Sequence, residues 1–370
     1  MFLSKIQHIY YRNILKPFLF TQDPEAVHDR FCRLGSRLAK SSLMRRVASF
    51  FFLYKDKRLE QTINDIHFPN PVGLAAGFDK NAMLTQILPD VGFGFEVIGS
   101  ITGEPCEGNK ERPRLWRLPK SKGLVVFYGL MNDGCVAIAK RLVNEKFRFP
   151  IGISVAKTNS ETTADPKAGI RDYVKAIKVM NKVGDFFVVN VSCPNAFGGE
   201  PFTDPDRLDM LLTAIDQVKT SKPIFLKLPV DISTQELEKL IQVCDMHKVD
   251  GFVLSNLTKK RDRPEIDPDE IRGITKGGIS GALNAKHVNE LIAHAYKTAG
   301  KRYTIVGVGG IFSAEDAYEK ICAGASLVEL ITGMIYEGPQ LIGQINKGLV
   351  ELLERDGFEN ISEAIGSAHR

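Results

Sequence analysis

The 370-residue chain predicts an α/β fold, a (β/α)8 barrel preceded by a small N-terminal helical segment. Three observations carry that reading. Eight short apolar runs, many rich in β-branched residues, lie at 71–75, 95–99, 151–156, 186–191, 223–228, 251–255, 304–308 and 326–331. They alternate with helix-patterned stretches such as 167–182, 206–219, 234–247, 284–299 and 314–322. Eight β/α units over about 280 residues is the rhythm and size of such a barrel. Polar residues and glycines follow directly on the apolar runs, where a barrel keeps its chemistry. A doubly wound open sheet would usually carry G-x-G-x-x-G after its first strand, and no such run is present.

The bulk numbers narrow the class. Hydrophobic content of 44% and charged content of 25% are those of an ordinary globular protein. Basic residues outnumber acidic ones by 49 to 44, and a net charge of +5 is too weak to argue for a nucleic-acid partner. Cys32, Cys106, Cys135, Cys193, Cys244 and Cys322 are far apart, with no C-x-x-C pair. That argues against a disulfide framework or a zinc site, and fits a reducing compartment. No stretch reaches the roughly 18 apolar residues of a membrane span. Lys5, His8, Arg12 and Lys16 interrupt the apolar start, and no signal-peptide cleavage pattern follows.

Residues 1–65 read as a separate segment before a barrel at 66–370. Asp23-Pro24-Glu25 is a helix start, with an N-cap candidate, proline at the first position and acid in the first turn. Val27, Phe31, Leu34 and Leu38 repeat at helical spacing, with Arg30, Arg33, Arg37 and Lys40 on other faces. A second apolar set, Leu43, Val47, Phe50 and Phe51, stands beside Arg45 and Arg46. Two basic amphipathic helices of this kind either pack on the barrel or lie in a membrane interface.

The chemistry collects after the strands. Strand one runs into Ala75-Ala76-Gly77-Phe78-Asp79-Lys80-Asn81, strand two ends at Gly99-Ser100 and strand three at Lys157-Thr158-Asn159. Asn190, Ser192, Cys193 and Asn195 crowd into six positions at the end of strand four, which Pro194 and two glycines stop. A strand end is a rigid mount for such groups. Lys227 sits inside an apolar run, which calls for an anionic partner. Strand six ends at Leu254-Ser255-Asn256. Gly307-Val308-Gly309-Gly310, Thr332-Gly333 and the earlier Gly277-Gly278-Ile279-Ser280-Gly281 suggest a phosphate site, because backbone N–H groups approach an anion where side chains are absent.

Taken together these residues resemble the dihydroorotate dehydrogenases, flavoenzymes of pyrimidine synthesis. The likeness runs from about Asp23 to about Gly338. It rests on Asn70 to Lys80, on Arg112-Pro113-Arg114-Leu115-Trp116-Arg117-Leu118, on Asn190 to Asn195, on Gly277 to Gly281 and on Val306 to Ile311. The helix beginning at Asp23 and the segment at Arg112 look like class 2, the membrane-associated branch that passes electrons to quinone.

The resemblance implies FMN bound by Ala76, Gly77, Ser100, Asn190, Lys227, Ser255, Gly281, Gly310 and Thr332. It implies dihydroorotate held by Lys80, Asn190, Asn195 and Asn256, Cys193 as the base, and His28 and Arg117 near the quinone head. It also implies peripheral attachment through the N-terminal helices to the cytoplasmic face of the cell or inner membrane, or to the mitochondrial inner membrane in a eukaryote.

Five positions depart from the class 2 pattern. Cysteine stands where serine is usual at 193, and Ala196 where a threonine relay is usual. A cysteine, with a reference pKa near 8.5, is expected to hold a useful thiolate fraction without that relay. Val126 replaces an expected substrate asparagine, and Leu257 an expected threonine. Ser154 replaces a flavin asparagine as well. These losses leave open a flavoenzyme of the same scaffold acting on another small cyclic or unsaturated substrate. A flavin-binding or membrane-docked protein without catalysis is the third reading, against which the retention of Cys193, Lys80 and three asparagines speaks.

Overall fold

Alternation along each apolar run decides which side chains face the barrel axis. In the computed structural model, which describes residues 2–370 with side chains from Ile6 onward, the runs form β1 (Val72–Leu74), β2 (Phe95–Ile101), β3 (Ile151–Val155), β4 (Phe186–Asn190), β5 (Ile224–Leu228), β6 (Gly251–Leu254), β7 (Thr304–Val308) and β8 (Leu327–Leu330). All neighbours are parallel, and β8 returns to β1 through Val328 opposite Val72, closing the barrel. Each strand lies within a predicted run or, for β2, extends it by two residues. The helices Pro166–Met180, Pro205–Asp216, Thr234–Cys244, Ala285–Ala299 and Ala314–Ala323 fall on the five predicted helical stretches. The helices Cys135–Leu142 and Leu341–Asp356 add to that reading. Met1, the first residue of the N-terminal segment, lies outside the described residues.

The lower half of the barrel is an aromatic plug. Phe68, Phe95, Phe186 and Phe225 meet there, with the Phe68 and Phe95 rings 5.4 Å apart edge to face. Glycine at 73 and 152 makes the room, since a Cβ at either place would fall on the Phe95 or Phe186 ring. Val97, Val188, Val253, Val306 and Leu327 complete the apolar cluster. Two residues further along their strands, Asn190, Lys227 and Glu329 turn inward in the same way. The plug therefore closes one end and leaves a polar mouth at the other.

Phe68 reaches the plug from a hairpin, Gln61–Ile63 paired with Ile66–Phe68, so the boundary drawn at residue 65 falls in its turn. A second small sheet, Leu115–Leu118, Gly123–Val126 and Gly278–Gly281, lies across the mouth. Gly277 to Gly281, read from its glycines only as part of a phosphate site, is largely a strand. Its partner lies some 150 residues earlier in the chain, a pairing that local pattern does not report.

Before the barrel, residues 2–20 are helical throughout, within the segment expected to be helical though no individual helix was placed there. Asp23 caps the helix Pro24–Ala39 by accepting from Ala26 N at 2.8 Å, and Ser41 caps Ser42–Phe52. Cys32 and Ala39 enter the main core, and buried Glu25 pairs with buried Arg114, with Arg112 3.0 Å away. Removing one partner of a buried pair strands the other charge. Glu25→Leu is expected to cost about 3–5 kcal/mol of stability, measured by urea unfolding, because Arg114 loses its carboxylate.

Candidate active site

At the mouth the strand ends and the small sheet enclose a cavity of about 1300 Å³, open solvent at its entrance included. Ala76, Gly77 and Lys80 enter it from the end of β1, Ser100 from β2, and Asn190, Cys193 and Asn195 from β4 and its loop. Lys227 enters from β5, Ser255 and Asn256 from β6, Gly281 from the small sheet, Gly310 from β7 and Thr332 from the segment after β8. His28 reaches the wall from the N-terminal helix. Residues spread over some 300 positions of the chain thus share one site.

Arg117 is the exception. Its guanidinium donates to the carbonyl of Gln22 at 2.7 Å and of Phe20 at 3.4 Å, and lies 4.7 Å from the centre of the Phe20 ring. Those contacts turn it toward the N-terminal segment and away from the cavity wall. It clamps the chain where the first helices meet the barrel.

The carboxamides are held by one another. Asn190 Nδ2 donates to Ser100 Oγ at 2.8 Å, which lies 2.7 Å from Ser154 Oγ. Ser154 therefore keeps a polar partner where an asparagine was expected. Asn256 Nδ2 donates to Ser192 O at 2.8 Å, and Tyr173 OH fixes the Asn190 carbonyl at 2.7 Å. Asn195 Nδ2 donates to the backbone carbonyl of Val126, so the valine contributes its main chain while its side chain lines the cavity. Leu257 lines it too.

Other polar atoms are left without partners. Lys80 Nζ and Ser255 Oγ are buried with no hydrogen bond in the protein. The Lys80 ammonium sits 3.8 Å above the centre of the Tyr128 ring, a partner the sequence did not signal. Burial pushes Lys80 down to about 8. A dry cation aimed into a cavity is suited to a carboxylate ligand.

Lys227 has a carboxyl within its field and, among the described residues, no ion pair. Glu329 faces it inside the barrel, and its own pKa is raised to about 7 by burial and pulled back by Lys227. Cys193 differs from expectation. Burial pushes its thiol up to about 11, against the hydrogen bond from the Asn195 backbone, so the cysteine is not a ready thiolate.

The glycines have steric reasons. A Cβ at Gly310, where φ is 74°, would lie 2.6 Å from Ala285 Cα, and one at Gly281, φ 127°, would lie 2.7 Å from Gly123 Cα. Only glycine allows these backbones so close. The cradle they form, with Ser280 Oγ 2.8 Å from Thr332 Oγ1, fits a phosphate end. Orphaned Ser255 and dry Lys227 fit the polar edge of a flavin. No group of three or more acidic, cysteine or histidine side chains among the described residues is placed to hold a metal ion.

A barrel with a phosphate cradle, a dry cation and converging carboxamides at its mouth defines a cofactor-dependent (β/α)8 enzyme class. Residues 58–353 match the dihydroorotate dehydrogenase family model. The chain is 35% identical to a dihydroorotate dehydrogenase (quinone) of Trichodesmium erythraeum, covering 97% of this chain and 99% of that protein. A protein of the same name from Gloeobacter violaceus is 38% identical, over 96% and 98%. A crystal structure of DHODH from Eimeria tenella in complex with ferulenol superposes with a TM-score of 0.83 at 27% identity, covering 96% of this chain and 99% of that one. The chain belongs to the dihydroorotate dehydrogenase family.

Just outside the cavity, Asp79 and Glu96 form a buried carboxyl pair that no motif announced. Asp79 accepts from Met83 N at 2.8 Å and Leu84 N at 2.6 Å, while Glu96 finds no partner but Asp79. Burial and the neighbouring Asp79 hold Glu96 well above the ordinary carboxylate range, so the pair keeps one proton. At pH below about 4 the unfolded chain is protonated at this position too. As pH rises the unfolded chain releases the proton and the folded one retains it, so stability falls until the folded pKa is passed. Glu96→Gln keeps an N–H donor for Asp79 and should flatten that decline. Its stability relative to the native protein should grow between pH 5 and 8, by up to about 1.4 kcal/mol per pH unit, in urea unfolding across that range.

Proposed function

We propose that this protein oxidises dihydroorotate to orotate with bound FMN and passes the electrons to a quinone. The observation that carries the reading is the unpartnered Lys80 ammonium facing the same cavity as Asn190, Asn195, Asn256 and Cys193. A planar, anionic, amide-rich substrate needs a cation and several carboxamides in fixed places. Lys80 takes its carboxylate, the asparagines orient its ring, and Cys193 receives the proton as the C5–H bond breaks. Ala76, Gly77, Ser100, Asn190, Lys227, Ser255, Gly281, Gly310 and Thr332 would hold FMN, which would supply the two-electron acceptor. The relatives named dihydroorotate dehydrogenase (quinone) support quinone as the final oxidant. His28, whose Nε2 lies 2.8 Å from the Phe78 carbonyl at the cavity wall, would meet it.

Purified protein should release FMN, identified by mass spectrometry, and dihydroorotate should bleach its visible absorption. Cys193→Ala should slow that bleaching at least ~100-fold in stopped flow while FMN stays bound, a usual share for a lost general base. Near-native reduction in the variant would remove the cysteine from the mechanism.

The N-terminal helices carry the membrane-facing part of the proposal. No helix of the described residues is long and apolar enough to cross a membrane. Ile9, Ile14, Phe18, Leu34, Leu43, Val47 and Phe50 nonetheless expose apolar surface, with Phe50 75% exposed, among the arginines of the same helices. That pattern suits a lipid interface on which quinone is dissolved. Replacing Leu43 and Phe50 together by glutamate should cut co-sedimentation with anionic vesicles at least ~10-fold and leave flavin reduction by substrate unchanged. Equal sedimentation of the two proteins would count against lipid docking by this face.

A further inference from the structure

The cysteine at the cavity needs something to make it a base. Its thiol is pushed up by burial, and the groups around it pull in both directions. Glu200, on the same loop, disfavours the thiolate, and Lys157, Lys227 and Lys259 favour it. Tyr173 also faces it, from the helix Pro166–Met180, as an un-ionised phenol held up by burial.

The three cations are not equivalent. Lys259 is exposed, and solvent screens it. Lys227 is buried but faces Glu329, which takes up much of its field. Lys157 is 3% exposed, follows β3 directly, and stands beside the loop that leaves β4, the neighbouring strand. Its Nζ donates to the Phe197 carbonyl at 2.5 Å, four residues beyond Cys193, and lies 4.0 Å from where a Cβ on Gly198 would be. That partner is neutral. The other anion near it, Asp172, already accepts from Gly103 N, Thr158 N and Thr158 Oγ1 at 2.7–3.1 Å. A buried ammonium with a neutral acceptor and a committed carboxylate keeps a field to spend on the next group.

We propose that Lys157 is the positioning residue for Cys193: its ammonium, tethered across the loop that carries the cysteine, stabilises the thiolate in which Cys193 accepts a proton. The proposal rests on the reading of Cys193 as base. In the reaction the C5–H proton joins Sγ, and the thiol returns it to solvent before the next turnover, with Lys157 favouring that return. The same tether makes Lys157 an anchor of the loop, so the test has to separate charge from anchoring.

Iodoacetamide alkylation of Cys193, followed by peptide mass spectrometry from pH 6 to 11, reads the thiolate directly and needs no substrate. Lys157→Gln and Lys157→Met should slow alkylation at least roughly tenfold across pH 7–10, the effect of a thiol made about one unit harder to ionise. Lys157→Arg should keep the native profile, and Glu200→Gln should move it to lower pH. The pH profile of flavin reduction should follow the same order. An unchanged alkylation profile in a folded, FMN-retaining neutral variant overturns the proposal. Failure of both neutral variants to fold assigns Lys157 to structure and also counts against it. If Cys193→Ala reduces its flavin normally, the base reading falls, while the alkylation profiles still report whether Lys157 sets the thiol.

Discussion

Lys80, Lys157 and Lys227 each keep an ammonium group where burial disfavours its charge; Lys80 and Lys227 line the cavity, and Lys157 is bonded to the loop that carries Cys193 into it. A dry cation is costly unless something negative or strongly polar answers it. The protein answers Lys227 with Glu329 from within the barrel, Lys157 with a carbonyl and the cysteine loop, and Lys80 with the face of Tyr128. The last is the weakest answer, and that is why Lys80 is the one poised for a ligand's carboxylate. Of the three, only the Lys80 ammonium is buried with no hydrogen-bond partner in the protein.

Such an arrangement requires a frame that does not collapse around it. The aromatic plug supplies the floor, since Phe95 and Phe186 fill the space that Gly73 and Gly152 vacate. From that floor the two-residue period carries Asn190, Lys227 and Glu329 inward on three different strands. The roof is the small antiparallel sheet, which brings Val126, Ser280 and Gly281 over the mouth. The N-terminal helices close the remaining side, fastened by the Glu25–Arg114 pair and by Arg117 on the Phe20 and Gln22 carbonyls. The apolar surface those helices leave exposed is the far side of the same packing.

The cysteine shows how position and state can part company. Its place at the end of β4 follows from the strand and the proline after it, but its protonation depends on groups from four other elements. The Asp79–Glu96 pair is a similar case. Glu96 stands on the outward pleat of β2, where helix packing and not solvent surrounds it, and its neighbour is a carboxyl from the loop after β1.

The sequence by itself determined the eight strands, the five helices between them and nearly all of the residues that meet at the mouth. Strand pleat and helical period are local properties, and a barrel sends every strand's C-terminal end to the same face. The tertiary structure decided what depends on distant pairing. It made a strand of Gly278–Gly281 by setting it against Gly123–Val126, turned Arg117 from the cavity to the carbonyls of the N-terminal segment, and set Tyr128 under Lys80. It also set the charge states, because the pKa of Cys193, Glu329 or Glu96 comes from desolvation and neighbours far away in the chain. Residue type and spacing tell which groups gather; only packing tells how dry they are and what each one faces.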